Sequence, residues 1–203
     1  VNAGNSVHMA AVEVRDKILK LASDLFEVGE DDLELVERGV QVRGDQSSHR
    51  GFAELATAAG GMPGFALKVG DSPGLEATSY FLTSQATYAH GAHVAEVEVD
   101  VDTGATRIVR YIIAHDCGTV IHPTIVEGQI QGGLAHGIGN ALFERMLYDD
   151  NGQPTTTTFG DYLLPLATDV PKAEIVHLES PTPLNPLGVK GAGEGGTIPA
   201  AAA

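Results

Sequence analysis

Apolar or small residues at Val7, Ala10, Ala11, Val14, Ile18, Leu21, Ala22 and Leu25 recur at i, i+3, i+4 and i+7. This spacing predicts an amphipathic helix, and the stretch before it, Asn2 to Ser6, is rich in capping residue types. Next, Glu30-Asp31-Asp32 reads as a solvated acidic turn. Leu33 to Val36 and Val40 to Arg43 flank Glu37-Arg38-Gly39 and predict a β-hairpin with glycine supplying the turn. Ser48 stands where it could cap a short helix carrying Phe52, Leu55, Ala56 and Ala59. Residues 59–74, crowded with Gly, Pro and small side chains, predict a loop.

The second half has sharper periodicity. From Ala95 to Asp102 apolar and acidic residues alternate strictly, Thr103-Gly104-Ala105 turns, and Arg107 to Ala114 returns as a largely apolar strand. Arg107 and Arg110 can sit across from the acids of the first strand. His115-Asp116-Cys117-Gly118 closes the second strand without a recurring zinc-ligand spacing, so Cys117 reads as structural. A helix is expected from Pro123 or Thr124 to about Met146. Leu134, Ile138, Ala141, Leu142 and Met146 would form its core face, with Gln129, Gly132, Gly133 and His136 together on another. Interior glycines cost a helix roughly 1 kcal/mol each relative to alanine. Something therefore comes close to that face, either a packed element or a ligand. Asn151-Gly152 marks a hairpin turn, Thr155 to Thr158 a strand edge, and Ala173 to Leu178 a final strand. Strands and helices mix without regular βα alternation, which predicts an α+β fold with a layered mixed sheet and helices.

Charge narrows the functions. A formal net charge of −15 over 203 residues argues against nucleic-acid or anionic-membrane binding. No apolar run approaches the roughly 18 residues of a membrane span, and no signal peptide is read. A single cysteine excludes an internal disulfide framework or a cysteine-ligated iron–sulfur cluster within these residues. The expected setting is a reducing cytoplasm.

The candidate chemistry gathers in Gly188-Val189-Lys190-Gly191-Ala192-Gly193-Glu194-Gly195-Gly196-Thr197-Ile198-Pro199, where one carboxylate stands among five glycines. Pro181, Pro183, Asn185 and Pro186 lead in stiffly, and Ala200 to Ala203 reads as the first turn of a helix. Such a loop lets a bulky group approach Glu194 and points backbone N–H groups at a polar or anionic ligand. The plainer alternative is a surface turn that contains an acid.

Three separated strings, GVKGAGEGGT, EGQIQGGLAHGIGNALFE (127–144) and GDYLLPLATDVP (160–171), occur in one order. Together they resemble the C-terminal part of the molybdenum-binding subunit of the xanthine dehydrogenase, aldehyde oxidoreductase and carbon monoxide dehydrogenase family, from about His90 onward. The resemblance implies that residues 1–203 are a C-terminal molybdenum cofactor-binding region, a fragment of a longer subunit. It also implies an enzyme that hydroxylates an aldehyde, purine, heteroaromatic or similar small substrate with oxygen from water. Its cofactor would be molybdenum-molybdopterin, with iron–sulfur and FAD groups on partner subunits or domains. The parent complex would be a homodimer that also contains the rest of the molybdenum subunit.

By the same resemblance Glu194 is the general base, Gln129 lies beside the pterin, and Gly132, Gly133, His136, Gly191 and Gly193 line the cofactor. His136 falls where relatives often carry another glutamine. Asn5 and Ser6 fall in a helix start that the family places against its cofactor, but Asn5-Ser6-Val7-His8 departs from the family's usual pattern, and ordinary capping is the favoured reading. No residue is expected to ligate the metal directly. Burial should raise the pKa of Glu194 toward the working pH, with Lys190 opposing the rise if it points the same way. The isolated chain should hold no cofactor and oxidise nothing. Two other functions stay open: a noncatalytic cofactor- or partner-binding module, and a nucleotide domain, for which the loop lacks a Walker-type Lys-Ser/Thr pair.

Overall fold

The computed structural model describes residues 1–61, 72–195 and 199–201. The chain divides into two compact units, one formed by residues 2–82 and one by residues 83–203 together with Val1.

In the first unit, helix α1 (Asn2–Phe26) buries Ile18 and Ala22 against a three-stranded antiparallel sheet, β1 (Leu33–Val36), β2 (Gly39–Val42) and β3 (Asp45–Gly51), and against helix α2 (Phe52–Ala59). Leu33, Val40 and Leu55 complete that core. The helix already runs through Asn2 to Ser6, so the capping-rich stretch forms its opening turns. Two other expectations change. Ser48 lies within β3 and hydrogen-bonds the Asp45 carbonyl, while Gly51 takes the cap position of α2. Gly39 serves close approach, since a β-carbon there would stand 2.0 Å from the Arg50 carbonyl oxygen of β3. The acidic turn at Glu30–Asp32 is exposed, as its charge requires. Most of the expected 59–74 loop lies outside the described residues.

The second unit is built on β4 (His90–Val99), β5 (Thr106–Asp116) and β6 (Glu174–His177), in the order β4-β5-β6. β4 and β5 form the expected antiparallel hairpin, and β6 joins β5 in parallel. Between these two parallel strands runs helix α3 (Pro123–Ile138), which packs Ile130, Leu134 and Ile138 against Tyr111 and Ile113 of β5. Each such side chain contributes about 1.5–3 kcal/mol when fully buried. β5 is half-buried: Tyr111, Ile113 and His115 turn inward, whereas Val109, skipped by the register shift between Glu96 and Val97, is exposed. Arg107 pairs with Glu98 across the hairpin, whereas Arg110 forks onto Glu174 of β6 at 2.7 and 2.8 Å.

Helix α3 starts where the sequence places it, with Pro123 in its first turn and the His122 ring accepting from the Ile125 N–H. It stops earlier than the periodicity suggests. A π-helical turn over Gly139–Phe143 ends it, closed by the Glu144 N–H on the Gly139 carbonyl, and leaves Leu142 and Met146 exposed. Thr155 to Thr158 forms no strand; Thr156 is buried and its hydroxyl accepts the Leu147 N–H. Tyr162 donates its hydroxyl to Glu144, tying the 160–171 segment to the end of the helix. The Gln131 amide holds the approach to β6, donating to the Pro171 carbonyl at 2.9 Å and accepting from Ala173 at 3.3 Å. A short 3-10 turn begins at Pro199. Helices and open mixed sheets make this an α+β architecture.

Candidate functional site

β5 and β6 run parallel, so their carboxyl ends lie side by side, the position at which sheets with parallel strands place their ligands. Two loops leave from there, the one between β5 and α3 and the one after β6 that continues into the glycine loop. Asp116, the last residue of β5, joins both. Its Oδ1 accepts the Gly118 N–H at 2.8 Å and the Ser180 N–H at 3.2 Å, and its Oδ2 lies 3.3 Å from Lys190 Nζ. Both side chains of that ion pair are only 9% exposed. Burial would raise the Asp116 pKa, but the two N–H groups and the ammonium outweigh it and hold the carboxyl well below the usual carboxylate range.

Backbone bonds extend the clamp. Lys190 N–H donates to the Cys117 carbonyl at 2.7 Å and Thr119 N–H to the Gly188 carbonyl at 3.1 Å. Asn185 holds Val189 from the other side through both its amide oxygen and its amide nitrogen. Gly118 has φ +74° and sits so close to the loop that a β-carbon would meet the Gly188 oxygen at 2.2 Å. Cys117 is buried, which pushes its thiol pKa up and keeps it protonated and inert.

Beyond this clamp the glycine loop passes between α3 and the sheet. A β-carbon on Gly193 would lie 3.3 Å from Gln129 Oε1, and one on Gly195 would lie 2.7 Å from His115 Cε1. Thus Glu194 is flanked by one residue touching α3 and one touching β5. Its own side chain is exposed among the described residues, not buried as the sequence suggested. Lys190 does not oppose it, being committed to Asp116.

On α3, Gln129, Gly132 and His136 share an exposed face, while Gly133 is buried and leaves that face. The four-residue grouping read from spacing is corrected to three, because Gly133 turns toward the core side of the helix. Gly191 is exposed on the loop. A β-carbon at Gly132 or Gly191 would meet nothing within 4 Å. Asn5 and Ser6 belong to the other unit, where Asn5 is buried and the Ser6 hydroxyl accepts the Phe81 N–H. Gly196 to Ile198 lie outside the described residues.

Sequence reasoning missed the contribution of His115, Asp116, Lys190 and His177. His177 on β6 stands directly opposite His115 on β5. Burial, and then the neighbouring His177 imidazole, push the His115 pKa down against the upward pull of Asp116. The one available signal was an acid two residues before a glycine at a strand end, which is also an ordinary turn pattern.

The arrangement can hold a polar, heterocyclic or anionic group. The Gln129 amide makes no hydrogen bond among the described residues, backbone N–H groups of the glycine loop lie nearby, and Gly132 and Gly191 leave room for close approach. A pterin cofactor, with polar ring edges and a phosphate, fits these donors. Residues 1–171 match the molybdopterin cofactor-binding domain, and the chain belongs to that family. The match takes in the first 90 residues as well as the motifs nearer the glycine loop.

The chain is 39% identical over 204 residues to the 6-hydroxypseudooxynicotine dehydrogenase complex subunit gamma of Paenarthrobacter nicotinovorans, covering 100% of this chain and 25% of that protein. It is 37% identical over 200 residues to the carbon monoxide dehydrogenase large chain of Hydrogenophaga pseudoflava, covering 97% and 24%. The structure of quinoline 2-oxidoreductase from Pseudomonas putida 86 superposes with a TM-score of 0.81 at 43% identity, covering 95% of this chain and 25% of that one. The chain spans about a quarter of the length of the relatives it matches.

Proposed function

We propose that this chain supplies one wall of the cofactor site and the proton acceptor of a molybdenum hydroxylase, with Glu194 as general base and Gln129 as a ligand of the pterin. The observation that supports this reading is the approach of the glycine loop to α3: a β-carbon at Gly193, next to the loop's single carboxylate, would lie 3.3 Å from the Oε1 of Gln129 on an exposed helix face. When bound, molybdopterin would supply a redox centre that takes two electrons from the substrate and activates oxygen derived from water.

The chain's own residues do the rest. Gln129 and the loop N–H groups orient the pterin, Gly132, Gly191 and Gly193 admit it closely, and His136 offers a further donor. Glu194 removes the proton released as the new carbon–oxygen bond forms, which requires a reach of about 2.6–3.2 Å to the atom that loses it. Asp116 and Lys190 fix the loop and take no part in proton removal. The rest of the subunit buries Glu194 and completes the cradle.

The substrate would be a small aldehyde, purine or heteroaromatic compound; similarity to a quinoline 2-oxidoreductase and to a 6-hydroxypseudooxynicotine dehydrogenase subunit supports the heteroaromatic class. Iron–sulfur and flavin groups on partner subunits would carry the electrons onward in a homodimeric, cytoplasmic complex. No described helix is long and apolar enough to cross a membrane.

Metal and pterin analysis of the complete subunit tests the assignment. Stoichiometric molybdenum and pterin are expected, falling in Gln129→Ala because hydrogen bonds to a charged group contribute about 1.5–3 kcal/mol each. Unchanged occupancy with lowered thermal stability would make Gln129 a packing residue.

A further inference from the structure

His115 and His177 stand opposite each other on β5 and β6, and both nitrogens of both rings are buried with no hydrogen-bond partner among the described residues. Four unpartnered ring nitrogens in one place are too costly to leave dry, and buried polar groups of this kind are ordinarily satisfied by ordered water. His115 is 1% exposed and its ring edge abuts Gly195, next to Glu194. At the other end, His177 Nε2 lies 3.6 Å from Glu127 Oε1, a distance a small adjustment or one water would close. Glu127 in turn lines an open cavity of about 910 Å³ between α3 and the 165–175 segment. The groups therefore form a line from the glycine loop, through the sheet edge, to that cavity.

We propose that His115 and His177 relay the proton accepted by Glu194 to Glu127 and the cavity, through water held between the two rings. The inference rests on the reading of Glu194 as base. A base that works repeatedly must lose its proton before each new turnover, and this line offers an exit by way of that cavity. At each imidazole ring one nitrogen takes up a proton while the other gives one away. The Glu127 carboxylate receives the last and releases it to solvent, and no electrons move. Burial lowers the His115 pKa, so the ring holds a proton weakly and passes it on.

Two charged groups nearby have partners of their own. Asp116 is held by Lys190, and Glu174 of β6 by Arg110. On β4, the His93 ring bonds the Tyr111 hydroxyl at 3.0 Å. The other His93 nitrogen, Nε2, is also buried without a partner among the described residues, and Lys172 lines the same cavity as Glu127; toward β6, His177 and Glu127 continue the line from His115.

His177→Gln and Glu127→Gln in the complete enzyme test the relay without touching the loop. In weak buffer, steady turnover of His177→Gln should fall at least about tenfold more than its first turnover, by analogy with the loss of a positioned proton carrier, and added imidazole should restore it. Glu127→Gln, an exposed site that leaves the fold intact, should show the same buffer dependence to a smaller degree. Independently of turnover, the C2 hydrogen exchange of His115 in the cofactor-free subunit, followed by mass spectrometry against pH, should shift its midpoint upward when His177 becomes Gln. Loss of turnover without imidazole rescue, or an unmoved His115 midpoint, would reduce the pair to packing and overturn the relay. Failure of the base reading looks different: Glu194→Gln would then keep its first turnover, whatever the two histidine measurements show.

Discussion

Lys190 Nζ lies 3.3 Å from Asp116 Oδ2 in an ion pair whose two side chains are each 9% exposed, and the pair fastens the start of the glycine loop to the end of β5. Removing one partner of a buried pair leaves the other charge uncompensated and costs about 3–5 kcal/mol. Asp116→Asn should therefore lower the stability of the unit by an amount at the lower end of that range, since the amide oxygen can still accept from Gly118 and Ser180.

The pH dependence has a definite sign. The folded pKa of Asp116 lies below its unfolded value of about 3.9. Its contribution is thus complete above that value and lost as pH falls toward the folded pKa. Thermal melts of the complete subunit from pH 6 downward, about the range over which carboxylates titrate, should show the wild-type advantage over Asp116→Asn shrinking below about pH 4. A constant gap through that window would exclude the ion pair as its source.

Gly132 distinguishes a cofactor from a packed element on the exposed face of α3. A β-carbon there meets nothing within 4 Å, so Gly132→Ala should stabilise the cofactor-free subunit by up to about 1 kcal/mol through helix propensity. The same methyl group would intrude on a closely bound pterin. The expected outcome is a raised melting temperature without cofactor combined with lowered molybdenum content. Equal loss of both would mean that protein covers this face in the complete subunit.

How much of this could be read beforehand differs from residue to residue. The hairpin was legible from the alternation that begins at Ala95, although Val97, Val99 and Val101 are exposed and β4 ends at Val99, and Leu134 and Ile138 were legible because a buried helix face imposes its period on the sequence. The end of α3 was not, since nothing in Gly139-Asn140-Ala141-Leu142-Phe143 breaks the helical spacing that the π turn interrupts. Glu194 and Gln129 were legible through local motifs, but the approach of Gly193 to Gln129 is tertiary. His115 and His177 are 62 residues apart in sequence, and only the parallel register of β5 and β6 makes them neighbours. Asp116 was visible as a turn acid; that its partner would be Lys190 depends on the fold of the loop.

Gly195 measures how finely Glu194 must be placed. A β-carbon at Gly195 would lie 2.7 Å from Cε1 of the buried His115 ring, which has little room to retreat. Overpacking of this kind costs about 1–3 kcal/mol, and the loop is the softer partner. Gly195→Ala should leave the subunit folded while displacing Glu194, and a shift near 1 Å can lower turnover by about 10²-fold. Wild-type turnover in this variant, with its fold verified by circular dichroism, would show that the position of Glu194 does not govern the rate.

Glu194→Gln addresses the chemistry directly. The amide keeps the size and most of the polarity of the carboxylate but cannot accept a proton, and residues 188–199 contain no second acid to replace it. A general base contributes about 10²–10⁴-fold, or roughly 3–5 kcal/mol of barrier. The complete enzyme carrying Glu194→Gln should fold, keep its molybdenum and pterin, and lose at least that much activity. Following reduction of the enzyme by substrate in a single turnover separates this step from later electron transfer to partner subunits. A near-normal single-turnover rate would remove Glu194 from the role of base. Loss of cofactor with the fold intact would instead make its carboxylate part of the binding cradle, and the noncatalytic reading of the glycine loop would take the place of the catalytic one.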